Sequence, residues 1–172
     1  ALIFHSLAVD YSNDIVWDKF RYGWIYSFGL GILYFLTVDS LFLGCLLSCF
    51  VWLLSAIILD KTLALLQINK VSRNWALFIY AVLPSSVLFT SVTLREVYQL
   101  FFATLATYSS LKIYLKDNRG HWVFLIIAVI GMSIFHVGLV AFGFFLLVLV
   151  YYFQQNKKRS GLTIESILFY MP

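Results

Sequence analysis

"LFLGCLLSCFVWLLSAIIL", residues 41–59, runs for nineteen positions without a charge and stops at Asp60 and Lys61. A helix needs about 20 residues to cross a hydrocarbon core of roughly 30 Å. The stretch is therefore read as one membrane span. Composition extends that reading to the whole chain: 62% of its 172 residues are hydrophobic and 12% charged, where soluble domains are about a quarter charged. Aromatic residues make up 19%, with eleven tyrosines and five tryptophans, a composition suited to the boundary between lipid and water. The formal charge of +4 sits in short separate segments rather than in a dense basic stripe, so nucleic acid is not an expected partner.

Residues 75–115 are 41 long, about twice a span, and are broken by Pro84 and the Arg95–Glu96 pair. They are expected to form a helical hairpin. Residues 122–153 contain no acidic or basic side chain but His136, and as one straight helix they would reach about 48 Å. Two arms of about 14–16 residues, turning at His136–Gly138, resolve that excess length. Residues 22–38, "YGWIYSFGLGILYFLTV", are expected to lie at the interface rather than to cross. With no repeat or linker to divide it, the chain is read as a single membrane domain over 1–172. The expected class is all-α, a polytopic transmembrane helical bundle with an interfacial or short N-terminal segment. The closing "IESILFYMP" is read as the start of a further apolar segment, so the chain is expected to be a piece of a longer protein.

Basic residues collect on the cytoplasmic side of short loops. Lys61, Lys70 and Arg73 lie between the first span and the hairpin, Lys112, Lys116 and Arg119 follow it, and Lys157, Lys158 and Arg159 form a third group. Placing all three on one side sends Arg95, Glu96 and His136 together to the other, joined there by His5, Asp10, Asp14, Asp18 and Asp39. Lys19 and Arg21 oppose that placement of the N-terminal segment.

Ser91, Arg95 and Gln99 are four apart, a spacing that stacks three polar groups on one helical face. A guanidinium matches phosphate oxygens with paired hydrogen bonds, so Arg95 is the leading candidate for an anionic ligand; a solvated turn is the structural alternative. His136 can transfer a proton or contact substrate, or be a packing residue hydrogen-bonded across helices, and Gly138 permits a close backbone approach. The spacing of Asp10, Asp14 and Asp18 fits a solvated helix face or a carboxylate serving as base. Cys45 and Cys49 share a helical face and are read as packing residues, since two ligands make no tetrahedral metal site. The three histidines lack the pairing that haem requires. No metal and no cofactor is expected.

"LPSSVLFTSVTLREVYQLFFATLATYSSLKIYLK", residues 83–116, followed by "GMSIFHVGLVAFGFFLLVLVYYF", residues 131–153, resembles the polytopic polymerases of bacterial exopolysaccharide and O-antigen units, the Wzy-like and EpsG-like group. The likeness covers roughly residues 80–155. It implies an enzyme of the bacterial cytoplasmic membrane that joins polyprenyl-pyrophosphate-linked oligosaccharides on the outer face, alongside other glycan-assembly proteins. By that likeness Arg95, Glu96 and His136 carry the catalytic roles and Gly138 binds substrate, while the helical spacing adds Ser91 and Gln99 as substrate-binding candidates; Val137 stands where many relatives have serine. "FHSLAVDYS", residues 4–12, is similar to the outer loop of lipid-linked-sugar transferases of the GT-C architecture. The competing reading is a non-catalytic membrane subunit or transporter fragment, in which the same residues only hold turns.

Overall fold

The structure, a computed structural model, describes residues 2–13, 25–82, 96–136 and 138–160. Among them are seven α-helices and no strand. In chain order these are α1 (Leu2–Asn13), α2 (Ile25–Leu36), α3 (Leu41–Leu65), α4 (Lys70–Val82), α5 (Glu96–Lys116), α6 (His121–Phe135) and α7 (Leu139–Ser160).

The helix expected to stop before Asp60 continues for six more residues to Leu65. Arg73 makes this possible: its guanidinium donates to both carboxylate oxygens of Asp60, Nη2 at 2.6 and 2.7 Å and Nε to Oδ1 at 2.9 Å. The charge that was to end the helix is thereby paired to α4. Beyond Leu65 the chain reverses on Gln67, whose φ of 59° is left-handed. The Ile68 and Gln67 amides close back onto the Leu63 and Ala64 carbonyls at 3.1 Å each, which satisfies carbonyls that a helix end would leave bare. At α5, Glu96 stands in the first turn and Lys116 in the last, the arrangement the helix dipole favours.

α5 is the centre of the bundle, packed on α3, α6 and α7, while α1 packs on α2 and α4 on α3. Its buried side joins Ala106 and Ile113 to Leu125, Ala128 and Met132 of α6 and Val150 of α7. A second core unites Ala8, Tyr26, Leu30 and Tyr34 with Leu43, Tyr98 and Phe135. α4 was expected as the partner arm of α5 in a hairpin. It instead leans on α3, where the Tyr80 hydroxyl meets the Ser55 hydroxyl at 2.6 Å and the Tyr80 ring stacks on Trp52 at 5.5 Å. Of the expected hairpin tip, Arg95–Glu96, Glu96 opens α5 and Arg95 lies, with the rest of residues 83–95, outside the described residues.

The 32-residue apolar run divides where its length and His136 predicted. α6 ends at Phe135, His136 is extended (φ −153°, ψ 109°), and α7 begins at Leu139. The two arms run antiparallel. Gly143 lies against Val129, and at the far end the Gln154 amide donates to Asp117 at 2.8 Å. α7 outlasts its apolar segment and reaches Ser160, so it is longer than the short arm expected. α2, at twelve residues, spans about 18 Å, too little to cross a bilayer. The segment likened to an outer loop, residues 4–12, is helical as part of α1.

α3 and α7 are long and apolar enough to cross a membrane. Of their most apolar stretches only 17% and 11% is buried, unlike the core helix of a soluble domain. The sorting on α3 is inverted: Gly44, Ser48, Ser55 and Thr62 are buried, whereas Leu46, Phe50, Leu53 and Ile57 are exposed. The hydroxyls are satisfied within their own helices. Ser48 donates to the Gly44 carbonyl at 3.0 Å, Thr62 to Ile58 at 2.8 Å and Ser133 to Val129 at 2.8 Å.

Gly131 admits the Phe102 ring at a distance where a Cβ would sit 2.5 Å from it. Gly131→Val should lower the stability of the purified protein by about 1–3 kcal/mol through overpacking. Gly29, with nothing within 4 Å of a built Cβ, should accept alanine with a gain of up to about 1 kcal/mol. Thermal unfolding of the two variants side by side checks both signs.

Candidate functional site

Two ends of the bundle differ in chemistry. Near the start of α3, Ser48 lies at Tyr98, near the start of α5, and the two helices share one of the most extensive contacts in the molecule. They therefore run side by side in the same direction. Lys61, Lys70 and Arg73 at the α3–α4 corner, and Lys112, Lys116 and Arg119 at the α5–α6 corner, fall at one end. The Gln154–Asp117 bond brings the last turns of α7 to that end too. Glu96, Gln99, His136 and Gly138 fall at the other.

At this second end the Gln99 side-chain amide donates to the Phe135 carbonyl at 3.3 Å. The bond ties the first turns of α5 to the residue preceding His136. Glu96 lies three residues before Gln99, hence on the same side of α5 about 4.5 Å along its axis. His136 is exposed at the tip, and its Nδ1 accepts from the Gly138 amide at 3.1 Å. A Cβ on residue 138 would stand 3.0 Å from the imidazole, so glycine lets the ring fold back over the turn. Four of the six candidate residues, Glu96, Gln99, His136 and Gly138, are thus gathered at one end of the bundle. Arg95 and Ser91 lie outside the described residues, with Arg95 directly preceding Glu96.

Sequence reasoning missed the aromatic wall behind this tip. Phe135 stacks on Tyr98 at 5.3 Å and on Phe102 at 5.9 Å, and Tyr26 of α2 closes on Tyr98 at 5.3 Å. The Tyr26 and Tyr98 hydroxyls face Ser48 of α3. Burial, with the Tyr98 phenol beside it, holds the Tyr26 hydroxyl well above the usual phenol range, so it stays a neutral hydrogen-bonding group. The four-residue spacing of Tyr98 and Phe102 was visible in the sequence. Their meeting with Tyr26 and Phe135, far away along the chain, was not.

His5 and Asp39, also assigned to this end, lie beside α2. The His5 Nδ1 pairs with the Tyr34 hydroxyl at 3.1 Å, and Asp39 borders a polar recess of about 280 Å³ with Ser12, Asn13 and Thr37. Asp10 is exposed on α1; Asp14 and Asp18 lie outside the described residues. Cys45 and Cys49 are half-buried thiols on α3.

Among the described residues this end offers an exposed imidazole beside a cluster of stacked aromatic rings. No family model, no curated protein and no solved structure matches the chain.

Replacing Gln99 by leucine removes the donor that joins α5 to the α6–α7 tip. The expected result is a loss of about 1 kcal/mol, with faster backbone hydrogen exchange around residues 133–139 and unchanged exchange at the α3–α4 corner. Equal exchange at the tip in both proteins would show that the bond does not hold it.

Proposed function

We propose that the chain is a polytopic helical protein of the bacterial cytoplasmic membrane that joins oligosaccharide units carried on polyprenyl pyrophosphate, at the end of the bundle holding Glu96, Gln99 and His136. The observation that carries the reading is the Gln99–Phe135 hydrogen bond. It ties the first turns of α5, which hold Glu96 and Gln99, to the turn that carries His136 and Gly138, separate in sequence.

Membrane embedding is supported by the inverted sorting on α3 and by the exposed Ile127, Ile130, Phe144 and Phe145 of α6 and α7. A water-exposed apolar surface of that extent is rare on monomeric soluble proteins. The 21 residues of α5 reach about 31 Å, close to the hydrocarbon thickness. By the positive-inside rule the basic corners face the cytoplasm, and the Glu96–His136 end faces outward.

Transfer of a glycan needs a held pyrophosphate leaving group and an acceptor hydroxyl at the anomeric carbon. In this reading Arg95 holds the pyrophosphate and stabilises the charge it gains on departure. Gln99 and Gly138 shape the tip, Ser91 extends the polar face and His136 contacts the substrate. The wall of Tyr98, Phe102 and Phe135 receives a sugar face or the first prenyl units. Glu96 at the positive end of α5 acts chiefly by position. A second reading, a non-catalytic membrane subunit, is favoured by the fact that both Glu96 at a helix start and His136 bonded to Gly138 serve as helix-end groups that need no substrate.

Arg95→Lys keeps the charge but loses the planar two-point contact, so polymer chain length on a gel should fall sharply while membrane insertion is unchanged. Wild-type length in both Lys and Ala variants would take Arg95 out of the site. Glu96→Gln should be milder than Glu96→Ala; equal inactivity at normal expression would favour an acid or base role. Single cysteines at positions 119 and 158 should label from the cytoplasmic side and one at 137 from the outer side. Labelling of 119 and 158 from opposite faces would defeat the orientation.

A further inference from the structure

We infer that the groove between α3 and α4 holds an acyl chain of an anionic phospholipid whose phosphate rests on Lys61. The groove encloses about 400 Å³. Its floor is the stacked pair Trp52 and Tyr80, and Leu53, Ile57, Leu77 and Ala81 form its apolar walls. From Trp52 to Lys61 it follows α3 for about 13 Å. α4 is the reason the groove stays open. Though it has apolar residues along its length, none of them is buried, and what fixes it to α3 is the Asp60–Arg73 pair at one end and Tyr80 with Ser55 and Trp52 at the other.

Charge selects the occupant. Asp60 and Lys61 both stand at the mouth, but Asp60 is engaged by the Arg73 guanidinium through both oxygens and no longer repels an anion. Lys61 is exposed and has no ion pair among the described residues, as is Lys70 at the same corner. The mouth is thus cationic and the length apolar over a floor of rings, which is the chemistry of one lipid: a phosphate at the basic end and a chain running toward the other. A neutral headgroup gains nothing from Lys61. A second copy of this chain would bring another lysine to the same mouth.

The inference rests on the membrane part of the proposed function and is independent of any glycan chemistry. Native mass spectrometry of the detergent-purified protein, titrated with phosphatidylglycerol or with phosphatidylcholine of the same chains, tests it. Phosphatidylglycerol should bind in preference, and Lys61→Ala should weaken it about fivefold, the effect of one cation near a lipid surface, with phosphatidylcholine unchanged. Ala56→Trp, which fills the groove and leaves the charges in place, should remove the bound lipid, and Lys61→Arg should retain it. Equal binding of the two lipids, indifference to Lys61→Ala, or a dimer that excludes lipid would each overturn the proposal. A protein that stays monodisperse without detergent would instead overturn the membrane reading beneath it, so the two failures are told apart.

Discussion

The bundle depends on α3 turning its small residues inward, with Ser48 at the Tyr98 hydroxyl of α5 and Ser55 at the Tyr80 hydroxyl of α4. Leucines at Gly44, Ser48, Ser55 and Thr62 would hold the neighbouring helices away and separate Ser48 from the two tyrosine hydroxyls that face it. Small side chains give the approach but bring hydroxyls into the contact, and each buried hydroxyl needs a partner. On α3, Ser48, Ser55 and Thr62 meet that need locally, by bonding to carbonyls three or four residues back, whereas Ser109 of α5 is buried with no hydrogen-bond partner among the described residues. Packing between helices is then free to follow shape, as in helix association where the surroundings offer no hydrophobic drive.

From that contact the position of everything else follows. α5, held against α3, presents its other sides to α6 and α7, and the length of α5 sets the separation between the basic corners and the Glu96–His136 end. The Asp60–Arg73 pair sets α4 on α3 and turns a helix-ending charge into a hinge point. The two cores divide the work: aliphatic packing joins α5, α6 and α7, while the aromatic junction anchors the α1–α2 pair beside the tip.

Much of this was legible in the sequence, for identifiable reasons. The helix at 41–59 and the break at His136 both come from chain length against a fixed membrane thickness, an argument that needs no tertiary information. The grouping of Glu96 and His136 at one end followed from segment lengths and the basic segments. What escaped depended on partners distant in the chain. Asp60 reads as a stop until Arg73 reaches it. α4 reads as the mate of α5 until Tyr80 finds Trp52 and Ser55. The ring cluster of Tyr26, Tyr98 and Phe135 has no local signature, because each member is an ordinary aromatic within its own helix.

The bond from the Gly138 amide to Nδ1 of His136 fixes more than a turn. An imidazole nitrogen that accepts from an N–H carries no proton itself, so the neutral ring is the Nε2–H tautomer and turns a donor outward. Such a ring presents one donor outward and keeps the lone pair of its other nitrogen engaged within the turn.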